Sequence, residues 1–222
     1  MSDMRTRVKI CGIKRVVDAL AAADAGADAI GLLFWQGTPR RVNVDRAKEI
    51  AAALPPFVTK VALFVDPDPA EVRSVLDAVA IDMLQFHGDE PHDLCNAFGR
   101  PYVKAVHMKE GVDLLEYAAR YGDAAGLLFD TFRAGDLPGG TGRAFDWSRL
   151  SPAVRAGVLA PLVLSGGLDP SNVGDAIRAV RPWAVDVSSG VEERDADGKP
   201  RKGQKDAARI VAFIKGVRDA DG

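Results

Sequence analysis

The feature that most constrains this sequence is a regular alternation of short apolar runs with segments of helical periodicity, from one end to the other. Eight apolar runs are typical of buried β-strands, and they are predicted at residues 8–11, 29–35, 59–65, 83–87, 102–107, 125–130, 161–165 and 184–188. Between them, apolar residues recur every three or four positions, which predicts helices at residues 17–25, 44–54, 69–79, 111–121, 170–180 and 206–217. Asp68-Pro69 and Asp169-Pro170 each place a capping residue before a proline, which predicts helix starts at Pro69 and Pro170.

Strands that alternate with helices pair in parallel, because each crossover between neighbouring strands contains a helix. Eight such units in 222 residues predict an α/β fold of the (β/α)8 TIM-barrel type, with residues 1–222 as a single domain. An open doubly wound sheet is the alternative, but it usually has fewer strands and a glycine-rich first turn. The first turn here is Cys11-Gly12-Ile13-Lys14, which lacks the GxGxxG pattern, so the barrel is favoured.

The composition excludes several classes of protein. The 29 Lys and Arg residues nearly balance 31 Asp and Glu residues, so neither nucleic acid nor an anionic membrane surface is expected as a partner. No apolar run reaches the ~18 residues of a membrane span, and residues 1–7 lack the apolar core of a signal peptide. The two cysteines, Cys11 and Cys95, are too few for a disulfide framework, so a cytoplasmic location is expected. Cys95 is interpreted as a small buried hydrophobe.

A barrel keeps its chemistry where the strands end, and the first strand ends at Cys11. Side chains on a strand repeat every two residues, so Lys9 points to the same side as Cys11. A nearby ammonium favours the thiolate, which can act as a base, although a lone cysteine can also be inert. The eighth strand lies beside the first in a closed barrel, so Lys9 and Asp186 are expected to form a buried pair. Because Lys9 is only two residues from Cys11, we expect it to lower the thiol pKa more than Asp186 raises it.

Three further strand ends or adjoining loops offer polar side chains. Asp130 ends the apolar sixth strand, where a buried carboxylate is costly unless it is paired or used; the alternative is a helix cap. His87 ends the fourth strand and is either a core histidine or a site residue. Arg40, in the loop after the second strand, is either surface charge or a ligand-binding residue. The histidines lack metal-ligand spacing, so no metal site is expected.

Glycine-containing turns follow the seventh and eighth strands. They are Ser165-Gly166-Gly167 and Ser188-Ser189-Gly190, at the place where barrels commonly bind phosphate through backbone N–H groups, so a phosphorylated small-molecule substrate is predicted. Long polar loops follow strands six and eight, at residues 131–145 and 191–205. The first contains Pro138-Gly139-Gly140-Thr141-Gly142 and is interpreted as a functional lid. The second is either functional or a solvated surface loop.

Seven sequence blocks together resemble a known family. They are Lys9-Ile10-Cys11-Gly12-Ile13, Gly37-Thr38-Pro39-Arg40, Gln85-Phe86-His87-Gly88, Leu128-Phe129-Asp130, residues 138–142 with Phe145-Asp146-Trp147, Ser165-Gly166-Gly167-Leu168, and Asp186-Val187-Ser188-Ser189-Gly190-Val191-Glu192. In this order, across residues 8–205, they are similar to the phosphoribosylanthranilate isomerases of tryptophan biosynthesis. That resemblance implies a (β/α)8 barrel without a cofactor. It also implies an Amadori rearrangement of N-(5-phosphoribosyl)anthranilate to 1-(2-carboxyphenylamino)-1-deoxyribulose 5-phosphate.

The resemblance also implies roles for individual residues. Asp130 would be the general acid that protonates the furanose ring oxygen, and Cys11 the general base that removes the C2′ hydrogen of the resulting Schiff base. Arg40 would hold the anthranilate carboxylate in a bidentate contact. The remaining substrate-binding residues, several of them around the phosphate, would be His87, Gly166, Gly167, Asp186, Ser188, Ser189 and Gly190. Lys14 departs from the family, which often has Thr there. Family members occur as monomers and homodimers, and either is expected.

Three other functions compete with this interpretation. A barrel similar to the ProFAR isomerase of histidine biosynthesis would run the same chemistry, but with two carboxylates rather than Cys11. A ribulose-phosphate epimerase would need His and Asp metal ligands, which the sequence does not assemble. A non-catalytic barrel that only binds a sugar phosphate would be expected to have lost Cys11 or Asp130, and both are present.

Overall fold

A computed structural model describes residues 5–109, 111–131, 146–150 and 156–222 of the chain. Eight parallel strands close into a barrel in the order β1 to β8, and β8 pairs with β1. These strands are β1 Arg7–Cys11, β2 Ala29–Leu33, β3 Thr59–Phe64, β4 Met83–Phe86, β5 Tyr102–Met108, β6 Gly126–Thr131, β7 Leu162–Leu164 and β8 Ala184–Val187. The predicted (β/α)8 barrel is confirmed, and each strand lies where its apolar run predicted it.

Helices occupy most of the connections between strands. They are α1 Val16–Ala25, α2 Val44–Ala53, α3 Pro69–Ala78, α4 His92–Asn96, α5 Leu114–Arg120, α6 Val173–Val180 and α7 Ala207–Asp221. Asp68 accepts a hydrogen bond from the Ala70 backbone at 2.7 Å, so the predicted start at Pro69 is confirmed. Among the helices that the structure describes, none combines the length and the apolar character that a bilayer crossing requires.

Two predicted helix starts are wrong, and local hydrogen bonds explain both. The helix predicted from Pro170 begins at Val173, because Asp169 accepts from the Ser171 backbone at 2.7 Å and its hydroxyl at 2.6 Å and so forms a turn first. The helix predicted from residue 111 begins at Leu114, because Asp113 is its cap and accepts from two backbone N–H groups of the first turn.

Alternating side chains divide the apolar residues of the barrel into two layers. Residues such as Ile10 and Phe129 point outward and form the core between strands and helices. The inward side chains include Ala105, Leu128 and Val163, which pack inside the barrel, and Cys11, Leu33 and Leu63, which pack above them. This alternation turns Cys11 and Asp130, at the ends of β1 and β6, toward the barrel axis.

The long loop predicted after the eighth strand contains regular structure. Strands β9 Glu192–Arg194 and β10 Pro200–Lys205 form an antiparallel hairpin, in which Glu192 pairs with Lys205. Asp195 stabilises the turn by accepting backbone hydrogen bonds from Asp197 at 3.0 Å and Lys199 at 2.8 Å. The hairpin therefore places two charged residues, from its first and last positions, side by side.

Candidate active site

A pocket opens at the carboxyl ends of the strands. It is lined by Cys11, Leu33, Trp35, Thr38, Arg40, Leu63, Val65, Gln85, His87, Asp130, Ser165, Asp186 and Ser188. Six residues predicted for the site therefore lie together, namely Cys11, Arg40, His87, Asp130, Asp186 and Ser188. The sequence analysis did not single out Trp35, Thr38, Gln85 or Ser165 as site side chains, although Gln85 shares a strand face with His87 by period two.

Space for the Cys11 side chain comes from a glycine on the neighbouring strand. Cys11 and Gly31 are paired positions of β1 and β2. A β-carbon at Gly31 would lie 2.8 Å from Cys11 Sγ, closer than real side chains allow, and 3.1 Å from Lys9 Nζ, which is an unusually tight contact. Glycine at this position therefore lets the thiol and the ammonium lie beside each other inside the barrel.

Lys9 and Asp186 form the predicted buried pair. They are opposite each other where β1 joins β8, and Lys9 Nζ lies 2.9 Å from Asp186 Oδ1, with both side chains buried. Burial is the largest single effect and disfavours the charged ammonium, but Asp186 and Cys11 together outweigh it and raise the pKa of Lys9. Lys9 is therefore a permanent cation beside the thiol.

Burial raises the pKa of the Cys11 thiol above its ordinary value, because the thiolate is poorly solvated there. Lys9 opposes this effect and Asp186 adds to it, while Lys205 also lowers the thiol pKa. The effect of Lys9 exceeds that of Asp186, as the sequence predicted. The cost of burying the thiolate, which that prediction did not include, is larger than the combined effect of Lys9 and Asp186, so the thiol pKa is raised.

Asp130 is fixed by two hydrogen bonds at the opposite side of the pocket. Its Oδ1 accepts from the Thr131 backbone at 2.7 Å, and its Oδ2 lies 3.1 Å from His87 Nε2. His87 Nδ1 lies 2.9 Å from the Gln85 side-chain nitrogen, which can only donate. With Gln85 donating to Nδ1, the Nε2–H group of His87 donates to Asp130. His107 donates from Nε2 to the His87 carbonyl at 2.9 Å, and burial lowers the pKa of His107.

Arg40 lies against the pocket but is already engaged by a carboxylate. Its Nε and Nη2 donate to the two oxygens of Glu192 at 2.7 and 2.8 Å, and Glu192 is fully buried. Burial alone would raise the pKa of Glu192, but Arg40 and Lys205 lower it. A substrate carboxylate would therefore approach the other edge of the guanidinium, formed by Nη1 and the second hydrogen of Nη2.

Lys205 is a buried charged residue behind the pocket, and the sequence analysis did not single it out. Its Nζ donates to the Ser188 carbonyl at 2.9 Å and lies 3.4 Å from Glu192 Oε1. Burial and the charge of Arg40 lower the pKa of Lys205 to about 8, against the opposing effect of Glu192. Only the hairpin brings Lys205 to this place, and no local sequence pattern predicts that contact.

The turns predicted for phosphate lie close together beside the pocket. A β-carbon at Gly166, whose φ is +83°, would lie 2.8 Å from Asp130 Oδ1, so this turn passes against the end of β6. A β-carbon at Gly190 would overlap the Leu168 carbonyl, so the two turns touch. Gly190 lies in a short 3-10 turn, Ser189–Val191, that directly follows β8. Backbone N–H groups at the start of such a turn suit an anion.

Two further predictions concern the lid and metals. The lid motif at residues 138–142 and Phe145 lie outside the described residues, and the described chain resumes at Asp146 before a 3-10 turn, Trp147–Leu150. Within the described ranges, no group of three or more His, Cys, Asp or Glu side chains is arranged to hold a metal ion.

Comparison with known proteins gives a consistent result. The family model for N-(5'phosphoribosyl)anthranilate (PRA) isomerase matches residues 8–216. An N-(5'-phosphoribosyl)anthranilate isomerase from Alcanivorax borkumensis is 54% identical over 212 residues, which are 96% of this chain and 95% of the relative. One from Pseudomonas fluorescens is 53% identical, covering 97% of both chains.

Solved structures agree with these sequence matches. A phosphoribosyl anthranilate isomerase from Thermotoga maritima is 40% identical with a TM-score of 0.84, over 96% of this chain and 99% of that one. A second solved structure is of a phosphoribosyl anthranilate isomerase in complex with reduced 1-(o-carboxyphenylamino)-1-deoxyribulose 5-phosphate. It is 38% identical with a TM-score of 0.81, over the same shares of the two chains.

Proposed function

The chain belongs to the N-(5'-phosphoribosyl)anthranilate isomerase family, and from this premise we propose how its residues carry out the reaction. It isomerises N-(5-phosphoribosyl)anthranilate to 1-(2-carboxyphenylamino)-1-deoxyribulose 5-phosphate in tryptophan biosynthesis. The observation that supports the assignment of roles is that a thiol and a carboxyl group, from β1 and β6, line one pocket at the carboxyl ends of the strands.

The pocket offers different surroundings to the two ends of this substrate. The turns at Gly166-Gly167 and Ser189-Gly190 bind the phosphate through backbone N–H groups. Leu33, Leu63 and Val65 provide an apolar wall for the aromatic ring. Arg40 binds the carboxylate of the ring through the guanidinium edge that Glu192 leaves available. The ribose then lies between Cys11 and Asp130.

The reaction starts at Asp130. Asp130 donates a proton to the ring oxygen of the ribose, the C1′–O bond breaks, and the lone pair of the aryl nitrogen forms a cationic Schiff base. His87 Nε2–H and the Thr131 backbone N–H hold the carboxyl group in place for this transfer.

Cys11 completes the rearrangement. The thiolate removes the C2′ proton, and the electrons of that C–H bond form a C1′–C2′ double bond and neutralise the nitrogen. The resulting enolamine tautomerises to the ketone, so the product has the same atoms as the substrate. Burial raises the pKa of the thiol, but the positive charge of the Schiff base favours the thiolate when it is needed. A base with a raised pKa is also stronger once it is ionised.

Every residue assigned here belongs to one chain. We therefore propose that one chain forms a complete site, either as a monomer or within a homodimer, and that residues 1–222 act as one barrel domain. A cytoplasmic location is part of this proposal, since Cys11 and Cys95 are both free thiols.

One assay tests the function. The purified protein is mixed with freshly prepared N-(5-phosphoribosyl)anthranilate in buffer that contains EDTA, and the loss of anthranilate-type fluorescence is followed. Chromatography must then show the isomeric carboxyphenylamino product. We expect enzyme-dependent turnover, because no assigned step uses a metal. No acceleration by folded protein would contradict the function, and activity that requires an added divalent metal would favour an epimerase-like mechanism.

A further inference from the structure

Three charged residues form a buried cluster directly behind the pocket. We call Arg40, Glu192 and Lys205 the hairpin cluster, because two of them belong to the β9–β10 hairpin. The side chains of Glu192 and Lys205 have no exposed surface, and that of Arg40 is 7% exposed. Only Arg40 among them lines the pocket. The mechanism above uses Arg40 and leaves the other two without a role.

The hairpin cluster has an unbalanced charge. Two cations share one carboxylate, since Glu192 receives two hydrogen bonds from Arg40, and Lys205 Nζ lies 3.4 Å from its Oε1. The Gly203 backbone donates to the same oxygen at 2.8 Å, so the carboxylate has no further capacity on that side. When Lys205 is protonated, one positive charge is therefore buried without a matching anion in the cluster, and the lowered pKa of Lys205, about 8, reflects that cost. A nearby group that supplies a negative charge would reduce it.

The residue after Cys11 connects this charge to the proposed base. A β-carbon at Gly12, whose φ is +77°, would lie 2.9 Å from Arg40 Cδ, 3.1 Å from Ser188 Oγ and 3.5 Å from Lys205 Nζ. The chain at Cys11-Gly12 thus passes directly over the ammonium group. Lys205 also donates to the Ser188 carbonyl at 2.9 Å, which holds the ammonium on the pocket side of the hairpin.

Other charged groups surround Cys11 and Lys205, but none of them adds a net positive charge. Lys9 on β1 is paired with Asp186 on β8. Around the backbone of Lys205, Arg15 donates to its carbonyl at 3.0 Å, while its N–H donates to Asp18 at 3.2 Å. Arg15 binds both Asp18 at 2.7 Å and Glu193 at 2.9 Å, so two carboxylates share that guanidinium. Among these groups, only the hairpin cluster has a net positive charge.

We propose that Lys205 is a positioning residue of the isomerase, whose buried ammonium stabilises the thiolate of Cys11, and that Glu192 holds this ammonium in place and favours its charged form. The proposal rests on the role of Cys11 as the base. It predicts that removing the charge of Lys205 moves the reactivity of the thiol to higher pH, because the thiolate loses a stabilising cation. A purely structural role of Lys205 would leave the pH profile of the thiol unchanged.

The test measures the alkylation of Cys11 by iodoacetamide as a function of pH, without substrate, with peptide mass spectrometry to separate Cys11 from Cys95. In Lys205→Met, alkylation at pH 7 should slow by about three- to tenfold and its pH profile should move to higher pH, because less thiolate is present. In Glu192→Gln, which keeps the side-chain shape, Lys205 loses the carboxylate that favours its charged form, so alkylation at pH 7 should also slow. Lys202→Met removes an exposed charge from the same strand and should match the unchanged protein.

Two further measurements separate the alternatives. Lys205→Gln keeps a hydrogen-bond donor without the charge, so it should resemble Lys205→Met, and it serves as the second variant if the methionine protein does not fold. In turnover assays, kcat of either variant should fall at neutral pH and recover at higher pH, while KM stays within about twofold.

Three results would overturn the proposal. They are equal alkylation profiles in all variants, faster alkylation in Lys205→Met, or a raised KM with an unchanged thiol profile. The last result would mean that Lys205 binds the substrate anion. Because alkylation needs no turnover, a failure of the isomerase assignment would be seen separately, as the absence of activity in the unchanged protein.

Discussion

Lys9 Nζ lies 2.9 Å from Asp186 Oδ1, and this ion pair spans the junction where the first strand of the barrel meets the last. Both side chains are buried directly beside the thiol of Cys11. Lys9 lowers the pKa of the Cys11 thiol and Asp186 raises it, so experiments can distinguish the effects of the two residues.

Removing Lys9 and removing Asp186 should change thiol reactivity in opposite directions. Lys9→Met raises the thiol pKa and should slow alkylation of Cys11 at neutral pH, whereas Asp186→Asn lowers that pKa and should accelerate it. The double variant should lie between them, because no buried charge is left unpaired. Lys48→Met, an exposed change on α2, is the control. The reversed order, or one rate for all folded variants, would mean that the pair serves only the barrel core.

Cys11→Ser should abolish most of the activity without affecting the fold. A hydroxyl is far too weak a base at neutral pH, so kcat should fall by about two orders of magnitude or more, as is typical for loss of a general base. Circular dichroism and thermal unfolding should match the unchanged protein. Near-normal turnover in Cys11→Ala would place the base elsewhere, and Asp186 would be the next residue to examine.

Asp130→Asn removes the transferable proton and keeps the size of the side chain. We expect kcat to fall by roughly 10² or more, with little change in the binding of reduced 1-(o-carboxyphenylamino)-1-deoxyribulose 5-phosphate. The amide can still accept from the Thr131 backbone through its oxygen, so the end of β6 should keep its shape. If this analogue no longer binds while appreciable turnover remains, Asp130 has a structural role instead.

Arg40→Ala should weaken the binding of ligands that carry the anthranilate carboxylate. Loss of one charge-assisted contact costs on the order of 1.5–3 kcal/mol, or roughly ten- to a hundredfold in Kd. A ligand that lacks the carboxylate should bind this variant and the unchanged protein equally. Equal losses of affinity for both ligands would mean that Arg40 binds the phosphate or stabilises the fold.

Arg40→Ala should also lower the free energy of unfolding, because Glu192 loses its bidentate partner while it stays buried. Arg40→Ala combined with Glu192→Gln should recover part of that loss in denaturant titrations. A double variant that is no more stable than Arg40→Ala would show that the pair does not control stability.

Gly190→Ala should disturb the phosphate turn. A methyl group there overlaps the Leu168 carbonyl, so the turns after β7 and β8 must separate. KM for the phosphorylated substrate should rise by about tenfold or more, with a smaller effect on kcat. Gly122→Ala is a suitable comparison, because neither glycine has a positive φ and a β-carbon at Gly122 meets no atom closer than 3.5 Å. An unchanged KM in Gly190→Ala would mean that this turn does not bind the phosphate.

Those parts of the molecule that depend on local periodicity could be predicted from the sequence. Strand spacing gave the barrel, period-two alternation placed Lys9 beside Cys11, and closure of the sheet brought Asp186 to Lys9. The predicted helix starts were wrong where an acidic side chain forms a turn or a cap with the backbone, as at Asp169 and Asp113.

Contacts between distant segments could not be predicted in this way. Arg40 and Glu192 are 152 positions apart, and their contact depends on how a hairpin folds back over the barrel. The cost of burying the Cys11 thiol was also missed, because a residue pattern gives the neighbours of a group but not how much water surrounds it.

Closure of the barrel between its first and last strands also constrains how the molecule is made. Lys9 and Asp186 are 177 positions apart, and ribosomes add about 5–20 residues per second, so roughly 9 to 35 s pass between the synthesis of the two. Throughout that interval the nascent β1 has an open edge and an ammonium without its counterion. The thiol of Cys11 is synthesised with the first strand of the barrel, yet its final surroundings form only after the last strand has left the ribosome.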